Sequence, residues 1–247
     1  MTGPRGAFAL VSIQLLVGTF ILMWAASLRF RFINRGYYRS TVWVLWPLMA
    51  AVTFALPRPF RPLGWAAAGA FLLFLLAVYS QRPALEWLAG GLAAGAGLWL
   101  VLAAGRAACP GDCPLGLVHA ALGTLLVGAV THGMALGHWY LNQARLPIEP
   151  LKEQCVIIFV ALVLSALAGV VTRSQLVVGP VPGGMLTFAP DSYWWTWALI
   201  LLATVGVAAM VWATVRSRST QSATGLLYIA TVTVLAAQFL LDLLVAT

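Results

Sequence analysis

The charged residues of this chain stand almost entirely in the gaps between long apolar runs, and that pattern leaves room for one class of fold. A run of about 20 apolar residues makes a helix long enough to cross the hydrocarbon core of a bilayer. Inside lipid every backbone N–H and C=O needs an internal partner, which a helix supplies and an open sheet does not. Such stretches are expected near 7–28, 41–56, 63–80, 85–104, 115–140, 154–172, 192–215 and 223–245. The expected fold is an all-α integral membrane protein, a polytopic bundle of about eight transmembrane helices with short loops. Residues 1–247 form a single transmembrane domain in this reading. Only 8% of the residues are charged, against about 25% in a soluble domain, and no polar stretch is long enough to bury a core of its own. The first apolar stretch, Ala7 to Leu28, is too long for a signal-peptide core and is followed by arginines, so it is expected to stay as the first helix.

The net charge of +8 does not point to nucleic acid, because the basic residues are dispersed over the turns and form no patch. They serve instead to orient the bundle. Arg29, Arg31, Arg35, Arg39, Arg82, Arg145, Lys152, Arg216 and Arg218 fall on one side, nine in all. Arg5, Arg58, Arg61, Arg106 and Arg173, five in all, fall on the other. The positive-inside rule puts the first group in the cytoplasm and both termini outside it. The expected location is a bacterial-type cytoplasmic membrane, crossed many times.

The three histidines, His119, His132 and His138, all lie on the fifth apolar stretch. Ionisable side chains are expensive at membrane depth, so each is a candidate functional residue. On a helical projection Thr124, Thr131 and His138 share one face with Met134 and Asn142, while His132 points elsewhere, among Ala129, Ala135 and Leu136. Gly123, Gly128, Gly133 and Gly137 on the same stretch let neighbouring backbones approach closely.

His119 and His132, 13 residues apart on one membrane helix, resemble the ligand spacing of two-haem cytochromes b. That resemblance implies axial ligation of haem by these two histidines, which are the metal-ligand candidates. The chain departs from the pattern because no other helix carries a histidine. Thirteen steps also leave His119 and His132 about 140° apart. A haem would need Met23, Met49 or Met210, a symmetric dimer, another subunit or a five-coordinate iron.

Two polar clusters follow. On the arginine-rich side the chain runs from His138 through Tyr140, Arg145 and Glu149 to Lys152 and Glu153. One reading is a capped turn, with Pro150 and Glu149 opening the next helix. The other is a quinone-headgroup or proton-uptake site, in which His138 or Tyr140 bonds a quinone carbonyl and Glu149 exchanges protons with water. The opposite side offers His119, Cys109, Asp112, Cys113, Gln238 and Asp242. Cys109 and Cys113 are disulfide candidates in an oxidising compartment. Gln238 and Asp242 are one turn apart, with Asp242 close enough to the end of its span to reach water. Cys155 is expected to be a small apolar packing residue.

The candidate cofactor-binding set is thus His132, His138, His119, Tyr140, Arg145 and Glu149. The expected function is that of an integral-membrane subunit of a respiratory or other electron-transfer complex. It would bind quinone or haem b, conduct protons, or both, and anchor partner subunits among membrane lipids. A structural or assembly subunit without cofactor and a small-solute transporter are the alternatives. Hydrolysis is disfavoured: there is no His-Glu-x-x-His, no Gly-x-Ser-x-Gly and no pair of mid-membrane aspartates.

Overall fold

The computed structural model describes residues 3–108, 114–143, 146–173 and 190–245. Helices α1 (Gly3–Arg29), α2 (Arg35–Ala55), α3 (Arg61–Ser80) and α4 (Pro83–Ala108) make the first half. Helices α5 (Pro114–Asn142), α6 (Glu149–Arg173), α7 (Pro190–Arg216) and α8 (Thr220–Val245) make the second. Among the described residues there is no strand. Seven of the helices are long and apolar enough to cross a membrane, and the protein is a multi-pass membrane helix bundle.

The helix missing from that set is α2. It begins at Arg35, six residues ahead of the position the apolar run suggests, because Asn34 caps it: its side-chain oxygen accepts from the Gly36 N–H at 2.8 Å. The extra turn and a half brings Arg35, Tyr37, Tyr38, Arg39 and Ser40 into the helix and lowers its hydropathy. The chain then turns through Pro57 and a 3-10 segment, Arg58–Phe60. The turn is tied down by Arg61, which donates to the carbonyls of Leu56 and Phe54, both at 3.0 Å.

The bundle is organised around α5, which packs on α1, α2, α4, α6 and α8. Its neighbour α1 is as well enclosed as α5, with 72% of each apolar window buried, whereas only 28% of that of α7 is buried. Small residues set this arrangement. A Cβ on Gly18 would lie 2.1 Å from the Thr124 carbonyl oxygen and 2.9 Å from the Gly128 Cα, so α1 and α5 touch backbone to backbone. Outward-facing side chains such as Trp43, Leu92, Trp99, Leu199 and Val232 are exposed and apolar, as a lipid-facing surface requires.

The contacts also fix register. Gly137 faces Thr224, Gly133 faces Leu227 and Gly123 faces Gln238, so α5 and α8 run antiparallel with a constant pairing. Continuing it one turn sets His119 level with Asp242. Helices α1 and α5 run parallel, with Gly18 level with Gly128 and Gln14 beside Gly123.

Candidate functional site

His132 lies in the interior, 1% exposed. Its partner is Gln154 on α6, which the sequence reading overlooked. The Gln154 side-chain Nε2 donates to the Ala129 carbonyl at 2.7 Å, and this turns its Oε1 toward the imidazole. Oε1 lies 2.8 Å from His132 Nδ1. An amide oxygen can only accept, so the network assigns the imidazole proton to Nδ1. Nε2 then carries a lone pair, and it has no partner among the described residues. A buried polar atom left this way costs about 1–3 kcal/mol.

Beside His132 is a cavity of about 70 Å³. Ala26 of α1 and Ile157 of α6 wall it, and Arg29 and Glu153 stand at its rim. The two rim groups lie 3.6 Å apart as a largely exposed ion pair. Ligand pockets usually measure about 300–1,000 Å³, and this one is of water size. The Tyr37 ring lies edge-on to the imidazole, with centroids 6.2 Å apart, and Trp139 packs against Tyr37 in turn.

His138 occupies a different environment. It is exposed and lines a groove of about 450 Å³ between α2 and α8, with α1 and α5 as its floor. From α5 the groove takes Thr131, Met134 and His138, which share a face in the helical projection, together with Trp139 and with Ala135, which the projection set on the His132 face. Polarity changes along it. At the arginine-rich end are Tyr37, Ser40, Thr41, His138 and Trp139; deeper in are Val44, Leu45, Leu48, Leu15 and Met134. Of the deep threonines, Thr131 and Thr231 donate back to the carbonyls of Val127 and Leu227, each at 2.8 Å, while the buried Thr19 hydroxyl of α1 has no partner among the described residues. On α2 the lining from Tyr37 to Leu48 spans roughly 16 Å of helix.

The structure does not gather the rest of the predicted set around either histidine. The buried Tyr140 donates its hydroxyl to the Pro147 carbonyl and so clamps the link between α5 and α6. Glu149 is exposed where α6 begins, and with Tyr140 and Arg218 it borders a separate surface depression. Arg145, Cys109, Asp112 and Cys113 lie outside the described residues. Cys155 is buried among Ile158, Val211 and Leu227, as an apolar packing residue would be.

At the opposite end a second polar interior appears. Asp242, expected to reach water from the end of its span, is instead 1% exposed. Burial follows from its place on the face of α8 that packs on α1 and α5. Gln238 donates to its Oδ1 at 2.7 Å, while Oδ2 has no partner among the described residues. Gln14 of α1, also overlooked in the sequence, is fully buried beside Gly123 and faces the Asp242 carboxyl, but its amide closes no hydrogen bond of full geometry among the described residues. His119, 2% exposed, stands at this depth.

Among the described residues no three His, Cys, Asp or Glu side chains come together as a metal site. Of the methionines considered as haem partners, Met23 and Met49 are buried and Met210 is exposed. No family model matches the chain, and no curated protein and no solved structure matches it.

Proposed function

We propose that this protein is the membrane subunit of an electron-transfer complex and takes a quinone-type lipid into the groove between α2 and α8. The observation that carries the proposal is the graded lining of that groove. A quinone has a polar head with two carbonyl acceptors and an apolar tail. His138 and Thr41 supply polar groups at one end, where the Ser40 hydroxyl is already given to the Tyr37 carbonyl at 3.0 Å, and Leu45, Leu48, Leu15 and Met134 supply a tail surface at the other. The volume, about 450 Å³, falls within the ordinary range of small-ligand sites. Quinone is favoured over haem because the buried imidazole, His132, has only water-sized room beside it. With no nucleotide or iron–sulfur motif in the sequence, electrons would come from a partner subunit. We place the arginine-rich end, and with it the head of the groove, in the cytoplasm of a bacterial-type cell.

Photolabelling with a short-chain azido-benzoquinone tests the site. Label is expected on the segments carrying Ser40–Leu48 and Thr131–Trp139, and excess unlabelled quinone should compete it away. Ala135→Phe fills the floor of the groove and should abolish specific labelling. His138→Ala removes one hydrogen bond worth about 0.5–1.5 kcal/mol, which is roughly 2- to 13-fold in affinity. Uncompeted label spread over α7 would refute the assignment.

A second reading, a proton-coupled solute carrier, gains from one observation: the buried Asp242 beside Gln14 and Gln238. Proton-driven solute uptake into vesicles that is lost in Asp242→Asn would favour it.

A further inference from the structure

The cavity beside His132 is separate from the groove and is not needed for any contact proposed there. Three features meet around it: an imidazole in its lining with one nitrogen committed, a second, buried nitrogen of that ring without a partner among the described residues, and an exposed acid and base, Glu153 and Arg29, in the same lining. The committed nitrogen is held through Gln154 by the Ala129 carbonyl. The ring therefore presents the other one, Nε2, as a proton acceptor.

We infer that this cavity is a proton inlet, leading from water at the Arg29–Glu153 rim to Nε2 of His132, which holds protons behind the inner wall of the groove. A hydronium ion reaching the cavity gives its proton to the Nε2 lone pair and leaves as water. The imidazolium then bears N–H groups on both nitrogens, and Nδ1–H remains bonded to Gln154. Loss of the proton from Nε2 restores the original ring. The groups facing His132 are Arg29 from α1, Glu153 and Gln154 from α6, and Tyr37 from α2. At this depth α8 presents Leu227, and α4 presents Gly90 and Gly91 to Trp24 of α1. The Tyr37 ring lies edge-on to His132 and also lines the groove. The use of the held proton by a groove ligand rests on the quinone reading; the inlet itself does not.

The test is water-edited solid-state NMR on the full chain in lipid nanodiscs, with only the histidines labelled with 15N. Three histidines, each with two ring nitrogens, give at most six signals. His119→Asn and His138→Asn identify the His132 pair by elimination, even where a His132 variant fails to fold. The expected result is a protonated Nδ1, an unprotonated Nε2 that becomes protonated as the pH is lowered, and rapid magnetisation transfer from water to this ring. Ala26→Leu narrows the cavity and should cut that transfer several-fold while leaving His138 unchanged. Absence of transfer in the unaltered protein, or equal transfer in Ala26→Leu, would overturn the inlet. A short-chain alkyl benzoquinone added to the same sample separates the two proposals. If it leaves His138 unmoved while water still reaches His132, the groove reading fails and the inlet stands. If it shifts His138 while water does not reach His132, the inlet fails and the groove reading stands.

Discussion

The two polar interiors of this bundle look alike in composition and differ in how well they are determined. Around His132 a glutamine from a neighbouring helix is held at both ends, by a backbone carbonyl and by the imidazole. Around Asp242 the bonded glutamine comes from the same helix, and the glutamine from the neighbouring helix, Gln14, faces the carboxyl without closing a hydrogen bond of full geometry. The first site fixes one tautomer in one orientation. The second leaves an amide and a carboxylate oxygen less firmly held. A buried glutamine thus specifies structure when both ends of its amide are spoken for.

Substitutions at the two sites can break this contrast. The largest effect is expected from Gln154→Leu, which strips the partner from His132 Nδ1 and leaves the Ala129 carbonyl with only its bond inside the helix. At about 1–3 kcal/mol for the buried group left unpaired, the loss should show as a marked fall in thermal stability in detergent. Next comes Gly123→Ala, whose new Cβ would lie 2.4 Å from the Gln238 amide nitrogen. Overpacking of this kind costs about 1–3 kcal/mol, and the flexibility of the Gln238 side chain sets the cost toward the lower end. Gln14→Leu should cost less than Gln154→Leu by the same melting assay, since the Gln14 amide faces the Asp242 carboxyl without closing a hydrogen bond of full geometry. A loss as large as that of Gln154→Leu would show that Gln14 is bonded after all and erase the distinction. The smallest effect, within about 0.5 kcal/mol, is expected for Glu153→Gln, because its pair with Arg29 is largely exposed.

Much of the architecture was legible because a membrane helix announces itself by length and apolarity. The start of α2 was not, since Arg35, Tyr37 and Arg39 look like loop residues until the Asn34 cap is seen. The face of α5 carrying Thr131, Met134 and His138 followed from helical periodicity and indeed lines one groove. The partners of His132 and Asp242 did not follow, because periodicity orients a helix about its own axis and says nothing about its neighbour's register. Gln154 was hidden further by its setting: after Lys152 and Glu153 it looks like the end of a solvated run. Gln14, alone between Ile13 and Leu15 in a long apolar stretch, was the clearer signal. An amide there has no reason to face lipid.

The backbone contact between Gly18 and Gly128 also bears on how the two polar interiors can communicate. It falls between them: Gln14 and Gly123 lie on one side of it, Ala26 and His132 on the other. The two glycines place no side chain at this crossing, so the α1–α5 contact offers no side-chain relay for a proton between the two interiors.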